Sequence, residues 1–382
     1  MTIHRFAFPT DIHFGPGARR EAAAYLVAQG CKRPLIVTDK GIAALPLLGE
    51  FKSTLQGLAV EVFAGVAGNP LTSQVDAGVA AFKKHGADAV IGLGGGAALD
   101  VAKAVALMAV HPGSVLEYAW DHPQVRPIEH ELPCFIALPT TAGTGSEVGR
   151  SSVISDDTTH IKKIIFSVKL LATAVFADPE LTLDLPPNVT AATGMDALTH
   201  NVESYIAKGY HPICDGIALE GVRIAARALP IAVCEPRNLQ ARADMLMASM
   251  MGAVAFQKDL GATHSCAHAL STVADLHHGL ANGIMIDYVM RFNQAVEVER
   301  FALMAQAVGV AQNSAAASAD AFVAWLTALK REVGIPAKLG AVKVTRQHLP
   351  KLLDVAVDDI CHKTNPRPCT REDFERIFTE AI

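Results

Sequence analysis

The stretch DAVIGLGGGAALDVAKAVALMAV, residues 88–110, decides the fold of the first half of the chain. Its first part is a short apolar run that ends in glycines and predicts a buried strand, and its second part is rich in alanine and valine and predicts a helix. A strand, a glycine-rich turn and a helix form the repeating unit of a parallel α/β sheet. Gly92, Gly94 and Ala97 also fit the G-x-G-x-x-[GA] pattern of dinucleotide-binding turns. Glycines in a tight turn are equally expected for steric reasons alone.

The same alternation continues on both sides of this stretch. Three further runs are typical of strands, RPLIVTD (33–39), LAVEVFAG (58–65) and CFIALPT (134–140), and two amphipathic segments are typical of helices, RREAAAYLVAQG (19–30) and SQVDAGVAAFKKHG (73–86). We therefore expect a mostly parallel sheet with helices on both faces.

Beyond LDLPPNV (183–189) the strand signals end and helical patterns take over. Seven segments predict helices: 189–207, 212–233, 238–257, 262–276, 280–290, 297–309 and 315–333. The sequence thus predicts an α/β dinucleotide-binding domain over residues 1–184 and an all-α domain over residues 185–382, with the boundary beside the proline pair at 186–187.

Composition excludes several classes of function. The 382 residues are 51% hydrophobic with a net charge of −5, which is enough for a large core and gives no electrostatic reason to bind nucleic acid or an anionic membrane. The seven cysteines are scattered without a CxxC motif, and the first residues contain no apolar signal core. We expect a cytoplasmic protein with reduced thiols that acts on a small molecule, without a nucleic-acid or membrane partner.

Four residues of the second half form a candidate metal site. Asp196 and His200 lie four residues apart in GMDALTHNVE, so a helix places both on one face. His264 and His278 lie in GATHSCAHALSTVADLHHG, a histidine cluster among apolar residues. One carboxylate with three neutral imidazoles suits Fe²⁺ or Zn²⁺, whereas Mg²⁺ and Ca²⁺ prefer oxygen ligands. Taken alone, the first pair also fits a surface hydrogen bond or salt bridge.

Three features of the first half suit a nucleotide. Asp39 ends the strand LIVTD, where an acid binds ribose hydroxyls and repels a 2′-phosphate, which favours NAD over NADP; it also fits a turn-initiating aspartate. Asp100 lies in the first turn of the predicted helix, where any carboxylate is favoured by the helix dipole. The loop LPTTAGTGSEVGRSSVI (138–154) offers hydroxyls and glycines for an anion or ribose, and an ordered loop without a ligand has the same composition.

Together the motifs resemble the iron-containing (group III) alcohol dehydrogenase family over essentially the whole chain. They are VTDK (37–40), NP (69–70), GGGAALDVAK (94–103), PTTAGTGSEV (139–148), ATGMDALTH (192–200), HSCAHAL (264–270), HHG (277–279) and NPR (365–367). The resemblance implies the dehydroquinate synthase-like fold, in which a dinucleotide-binding α/β domain precedes a helical domain and the active site lies between them. It further implies NAD and Fe²⁺ as cofactors, with Zn²⁺ as the alternative metal, and a homodimer or higher homo-oligomer.

The resemblance also assigns roles to single residues. It gives the metal to the same four ligands, and it makes His268 a candidate for proton transfer, although core packing also explains a histidine there. Its nucleotide contacts are Asp39, Asn69, Gly95, Gly96, Ala97, Asp100, Thr140, Thr141, Thr144, Ser146 and Lys162. Ala97 stands where the family commonly has serine, which removes one hydroxyl near the phosphates. Cys361 either borders the cofactor or is a buried thiol.

The subtype rests on fewer residues. Arg150 in SEVGRSS, the segment AFQKDLG and the ending CHKTNPR are similar to 4-hydroxybutyrate dehydrogenases. Arg150 is a candidate to bind a substrate carboxylate, and an internal salt bridge is its other explanation.

The expected reaction is hydride transfer between NAD(H) and a primary alcohol/aldehyde pair, such as 4-hydroxybutyrate and its semialdehyde, with a metal that acts as a Lewis acid on the substrate oxygen. An NAD- and metal-dependent carbon–oxygen lyase, a polyol dehydrogenase of the same superfamily and a metal-dependent hydrolase are the alternatives.

Overall fold

A computed structural model describes residue 8, residues 10–159 and residues 161–382. The chain divides into two compact units. The N-terminal unit consists of Phe8–Thr141 and Gly145–Leu183, and the C-terminal unit consists of Asp184–Ile382 together with Ala142–Thr144. Within the described ranges, no helix is both long and apolar enough to cross a membrane.

The N-terminal unit is built on a six-stranded sheet whose neighbouring strands are all parallel, in the order β1-β8-β5-β4-β2-β3. A separate antiparallel hairpin joins β6 to β7. The strands are β1 (Asp11–Phe14), β2 (Pro34–Asp39), β3 (Glu61–Val66), β4 (Ala89–Gly94), β5 (Cys134–Pro139), β6 (Ser151–Ser155), β7 (Lys162–Phe166) and β8 (Ala174–Ala177). The helices are α1 (Ala22–Ala28), α2 (Lys40–Ala43), α3 (Pro46–Thr54), α4 (Thr72–His85) and α5 (Gly96–Val110).

Helices cover both faces of this sheet. Successive side chains along each strand point to opposite faces, so neighbouring residues pack against different helices. Ile36 and Ile91 point to one face, where they belong to one buried cluster with Phe51 of α3. Gly92 points to the other face: a Cβ there would lie 3.0 Å from Leu99 of α5, so the glycine lets α5 approach the sheet closely. The predicted fold, a parallel sheet between helices, is confirmed.

The described part of the C-terminal unit is helical, as predicted. Its helices are α6 (Pro187–Ile206), α7 (Pro212–Cys234), α8 (Leu239–Ala255), α9 (Ala262–Ala274), α10 (His278–Asn293), α11 (Val298–Ala307), α12 (Ala315–Glu332), α13 (Leu349–Asp358) and α14 (Arg371–Ala381). α6 is buried along almost its whole length and packs against α7, α8 and α10. A central buried helix explains why polar residues on α6 are enclosed.

Several elements were not predicted from the sequence. These are the short strands β1 and β8, the β6–β7 hairpin, the short helices α2 and α3, and the last two helices, α13 and α14. The seven helices predicted in the second half are present, with ends that differ by a few residues. One shift matters for the site, because α10 begins at His278 rather than at residue 280.

Candidate metal centre and nucleotide loops

The four predicted metal ligands converge inside the C-terminal unit. One ligand atom from each of Asp196, His200 and His264 lies within 4.8 Å of the other two. Nε2 of His264 lies 4.0 Å and Nε2 of His278 lies 3.6 Å from Oδ1 of Asp196. Ligand atoms of a tetrahedral site with bonds of about 2.1 Å lie roughly 3.4 Å apart, so these separations are close to those of a metal site. Because Asp196 and His200 are buried, a surface salt bridge does not describe them.

The electrostatics of the cluster fit a cation. Burial lowers the pKa of His200 to about 4, so its ring is neutral at pH 7 and offers a lone pair. Nδ1 of His200 is buried and has no hydrogen-bond partner in the described part of the chain. A buried carboxylate beside the neutral ring of His200 favours a positive charge, which a divalent transition metal would supply. The exposed His277 accepts a hydrogen bond from the Leu280 N–H and caps the start of α10.

Glu203, which the sequence analysis missed, orients His264. It is fully buried on α6, and Nδ1 of His264 lies 2.7 Å from its Oε2. A carboxylate only accepts hydrogen bonds, so Nδ1 carries the proton and Nε2 keeps the lone pair for a metal. The same carboxylate accepts hydrogen bonds from the backbone N–H groups of Gly261, Thr263 and His264, which are the uncapped donors at the start of α9. Burial opposes ionisation, but hydrogen bonds with His264 and Thr263 lower the pKa of Glu203.

His268 lies next to the cluster and has its own carboxylate partner. Its Nδ1 is 2.7 Å from Oδ2 of Asp359, and its ring stacks on that of His278 with 5.2 Å between centroids. Burial opposes ionisation of Asp359, but the charge and hydrogen bond of His268 and a bond from Ser265 lower its pKa. This pairing leaves Nε2 of His268 as the nitrogen available for proton exchange. Burial raises the pKa of Cys361 well above its usual value, so its thiol stays neutral.

In the N-terminal unit, Asp39 lies against the predicted glycine turn. Gly94 has φ +149°, and a Cβ there would lie 3.1 Å from Oδ2 of Asp39 and 2.7 Å from Cβ of Ala98, so glycine is required. Oδ1 of Asp39 accepts a hydrogen bond from Ile42 N–H and caps α2. The structure thus supports the capping explanation for one oxygen and places the other oxygen beside the turn.

The start of α5 is partly exposed. Gly95, Gly96 and Ala97 are half-buried, and Gly95 caps the helix without a side-chain hydrogen bond. The backbone N–H of Thr140 donates to the carbonyl of Gly94, and a Cβ on Gly95 would lie 3.2 Å from Thr141. The ends of β4 and β5 therefore bring the two predicted loops together at a helix N-terminus, which favours anions.

Asp100 and Ser146 bind each other. The Ser146 hydroxyl donates to Oδ1 of Asp100 at 2.6 Å, and the Val153 N–H donates to Oδ2. The buried Lys103, not predicted as a site residue, donates to the carbonyls of Ser146, Gly149 and Ser151 and to the Ser146 hydroxyl. Burial raises the pKa of Asp100 and lowers that of Lys103. These residues hold the second loop on α5.

The remaining predicted nucleotide residues are more dispersed. Asn69 is exposed, and its carbonyl oxygen lies 3.5 Å from the Gln74 amide nitrogen. Lys162 begins β7, where its charge offsets a small part of the rise that burial causes in the pKa of Asp100. Thr144 is half-buried and belongs to the C-terminal unit.

Arg150 does not form the salt bridge that was its alternative explanation, as far as the described residues extend. Its guanidinium carbon lies 5.4 Å from the centroid of the exposed Phe166 ring, which is a cation–π distance. Such stacking leaves the planar fork of the guanidinium available for an anion.

The chain matches known proteins along both units. Residues 9–179 match the family described as iron-containing alcohol dehydrogenase, and residues 190–382 match the C-terminal part of the Fe-containing alcohol dehydrogenase family. The chain belongs to the iron-containing alcohol dehydrogenase family. This membership confirms the predicted family and enzyme class, and it favours the oxidoreductase over the lyase and hydrolase alternatives. It also agrees with the predicted iron cofactor.

Individual relatives of the family cover almost the whole chain. The chain is 35% identical to 4-hydroxybutyrate dehydrogenase of Cupriavidus necator, with 98% of each chain covered. It is 34% identical to NAD-dependent methanol dehydrogenase of Bacillus methanolicus, with 99% of each covered. A solved structure of 1,3-propanediol oxidoreductase superposes with a TM-score of 0.95 at 34% identity, over 100% of both chains. Nearly equal identity to enzymes named for different alcohols shows the class of reaction but not the substrate.

Proposed function

We propose that this protein is an NAD-dependent alcohol dehydrogenase that transfers hydride between NAD(H) and a primary alcohol/aldehyde pair, with Fe²⁺ held by Asp196, His200, His264 and His278. The observation that carries the proposal is the convergence of the buried ligand atoms of Asp196, His200 and His264 within 4.8 Å. When bound, such a metal acts as a Lewis acid that lowers the pKa of an alcohol hydroxyl. Zn²⁺ suits the same ligands.

The protein's own residues prepare the site for this chemistry. Glu203 keeps the proton on Nδ1 of His264, and burial keeps His200 neutral, so both rings offer lone pairs near pH 7. His268 receives the alcohol proton at Nε2, because its Nδ1–H is held by Asp359. As His268 is about a quarter exposed, 26% by side-chain area, it passes the proton on to solvent.

The nucleotide is proposed to bind at the start of α5. The open backbone of Gly95, Gly96 and Ala97 suits its pyrophosphate, and the free side of Asp39 suits ribose hydroxyls, which favours NAD. Asp100 contributes by holding the second loop in place. The full set of proposed nucleotide residues is Asp39, Asn69, Gly95, Gly96, Ala97, Asp100, Thr140, Thr141, Thr144, Ser146 and Lys162.

The proposed substrate is an ω-hydroxy acid such as 4-hydroxybutyrate, whose carboxylate Arg150 binds. Two observations support it. Arg150 stacks on Phe166 and forms no ion pair within the described ranges, and one relative at 35% identity is named 4-hydroxybutyrate dehydrogenase. A bidentate guanidinium–carboxylate pair distinguishes such an acid from a neutral alcohol of similar length.

A substrate screen tests this choice. Iron-loaded protein is assayed by NADH formation with 4-hydroxybutyrate, 1,4-butanediol and ethanol, in the wild type and in Arg150→Ala, with Arg223→Ala as a control in which a surface arginine is lost. We expect a preference for the acid that disappears only in Arg150→Ala, by a factor of about 10 to 100 for one charge-assisted bond of 1.5–3 kcal/mol. Equal kcat/KM for the acid and the diol in the wild type would exclude the carboxylate-binding role. Absence of NADH formation with every alcohol would exclude the dehydrogenase function.

The cytoplasmic location and the homodimeric or higher state expected from the sequence are also part of the proposal. Light scattering of the purified protein measures the second directly, and a monomeric mass would exclude it.

A further inference from the structure

Asn282 lies inside the metal cluster without having been assigned to it. It is fully buried on α10, four residues after His278 and therefore on the same helix face. Its amide nitrogen is 2.7 Å from Oδ1 of Asp196, 3.3 Å from Nε2 of His264 and 3.2 Å from Nε2 of His278. One amide group thus contacts the ligand atoms of three different proposed metal ligands.

Close packing of α10 on α6 brings this short side chain to the ligands. A Cβ on Gly279 would lie 2.4 Å from the carbonyl oxygen of Ala192, and one on Gly283 would lie 3.1 Å from Cβ of Met195. The two glycines are one turn apart on α10, on either side of Asn282. They let the helix backbones approach so closely that an asparagine side chain spans the distance to Asp196.

The hydrogen-bond network fixes which end of the amide faces the ligands. Turning the amide over would put its oxygen 2.7 Å from Oδ1 of Asp196, an acceptor against a carboxylate. His264 holds its proton on Nδ1 towards Glu203, so its Nε2 is also an acceptor. The NH₂ group carries two hydrogens and faces two acceptors, Oδ1 of Asp196 and Nε2 of His264, with Nε2 of His278 3.2 Å away. A positively polarised donor therefore faces the atoms that a cation would contact.

The oxygen end of the Asn282 amide is energetically unfavourable. Oδ1 of Asn282 is buried and has no hydrogen-bond partner among the described residues. A buried unsatisfied acceptor costs about 1–3 kcal/mol, and a chain keeps one where another role requires it. An apolar side chain would avoid this cost, so the amide is kept for what its NH₂ group does.

We propose that Asn282 is a positioning residue of the metal site, an inference that rests on the metal-dependent function proposed above. Its amide directs the ligand atoms of Asp196, His264 and His278 towards one point before a metal arrives. A carboxylate oxygen has two lone pairs, so the bond to Asp196 leaves one lone pair for the cation. The amide thereby orients Asp196 in both states of the protein.

The first test is metal affinity, measured with Zn²⁺ because this ion has no redox chemistry. Full-length metal-free wild type, Asn282→Ala and Asn293→Ala are titrated with Zn²⁺ in competition with a chromophoric chelator. Asn293 is the matched control, since it is also fully buried on α10 but bonds to Asn365. We expect Asn282→Ala to bind Zn²⁺ about 10–100-fold more weakly, the usual loss for a partner of a metal ligand, and Asn293→Ala to bind like the wild type.

The second test is Asn282→Asp, which keeps the shape and replaces the donor by an acceptor. Two carboxylates then face each other in the metal-free chain, so its melting temperature falls below that of the wild type. Zn²⁺ relieves the repulsion, and saturating Zn²⁺ therefore raises the melting temperature of Asn282→Asp by more than it raises that of the wild type. Loss of packing alone does not produce this larger increase. This comparison decides the matter if Asn282→Ala fails to fold.

The outcomes separate the two proposals. Wild-type protein that binds no Zn²⁺ overturns the metal-dependent function and this inference with it. If the wild type binds one Zn²⁺ and Asn282→Ala binds it as tightly as the wild type or as Asn293→Ala, the role of Asn282 alone is overturned. An equal Zn²⁺-induced rise in melting temperature for Asn282→Asp and the wild type also overturns it.

Discussion

Replacing Glu203 by glutamine should damage both the stability of the C-terminal unit and its metal site. Glu203 accepts hydrogen bonds from the N–H groups of Gly261 (3.0 Å), Thr263 (2.6 Å) and His264 (3.3 Å) and from Nδ1 of His264 (2.7 Å). Glutamine keeps one acceptor oxygen, which in the position of Oε2 retains three of these bonds, while its NH₂ group takes the position of Oε1 and faces the Thr263 N–H. The variant keeps the size of the side chain, so the loss is one of hydrogen bonding rather than of packing.

The magnitude follows from these four bonds. The bond from Thr263 is lost and the other three become bonds to a neutral acceptor; a bond to a charged group contributes roughly 1.5–3 kcal/mol and a neutral one roughly 0.5–1.5 kcal/mol. The neutral amide costs less to bury than the carboxylate, which offsets part of this loss. We expect a net destabilisation of about 3 kcal/mol, which lowers the melting temperature of a domain of this size by about 6–12 °C.

The substitution also weakens metal binding, through its effect on His264. The neutral amide oxygen accepts the hydrogen bond from Nδ1 of His264 more weakly than the carboxylate does, so it holds the ring proton on Nδ1 less firmly and makes Nε2 a poorer ligand. We expect Zn²⁺ affinity to fall about 10–100-fold.

Calorimetry of metal-free protein and chelator competition measure the two effects of this substitution. Glu220→Gln serves as the control, because the Glu220 side chain is 40% exposed and pairs with Arg223 of the same helix. Its effect should stay within about 0.5 kcal/mol. If Glu203→Gln melts with the control and binds Zn²⁺ with wild-type affinity, the role assigned to Glu203 is wrong.

Three further predictions concern other parts of the structure. His268→Ala should lower kcat by about 100-fold or more while the iron content stays unchanged, since it removes a proton acceptor and no metal ligand. Steady-state kinetics measures this, and a variant with the kcat of the wild type would refute the prediction. Gly94→Ala should weaken NADH binding at least about tenfold, because the new methyl lies 2.7 Å from Cβ of Ala98. The control Gly49→Ala, where a Cβ meets open space, should bind NADH like the wild type. Fluorescence titration with NADH measures both variants, and equal affinities for the wild type, Gly94→Ala and Gly49→Ala would contradict the predicted nucleotide site. Burial raises the pKa of the Glu147 carboxyl group from 4.5 in the unfolded chain to about 7 in the folded protein. The folded protein therefore has its full stability below pH 4.5, where the group is protonated in both states, and loses stability as the pH rises to about 7. Glu147→Gln should therefore gain about 3 kcal/mol over the wild type at pH 8 and much less at pH 5, and a gain independent of pH in thermal melts would contradict the assignment.

Much of the fold follows from sequence patterns that the structure preserves. The strands β2, β4 and β5 are long apolar runs in a sheet covered on both faces, which is the strongest strand signal. β1 and β8 have only four residues each, too few to show a period. The hairpin β6–β7 lies partly inside the loop predicted for residues 138–154, where serines and glycines conceal its pairing.

The last helix shows a different reason for a missed element. α14 has the sequence REDFERIFTEA, whose charged residues dominate its composition. Its buried residues are Phe374, Ile377, Phe378 and Ala381, spaced three, one and three residues apart on one helical face. The signal was present in the spacing, and Thr370 caps the helix as a threonine should.

The four proposed metal ligands could be predicted from the sequence because each has a chemically distinctive side chain. Their supporting residues could not be found as readily. Glu203 lies three residues after His200 and Asn282 lies four residues after His278, so helical spacing places each beside a ligand. What spacing does not reveal is the partner on another helix, such as His264 for Glu203. Asp359 of the pair with His268 is separated from it by 91 positions and is visible only in the fold.

The central claim is that Asp196, His200, His264 and His278 together bind one divalent cation. Anomalous diffraction at the iron absorption edge, from crystals of the iron-loaded wild-type protein, locates the metal directly. We predict a single strong anomalous peak per chain, within bonding distance of all four side chains, and no peak there in crystals of His264→Ala grown under the same conditions. A peak at any other set of residues, or an active crystal form with no peak at these four, would contradict the account.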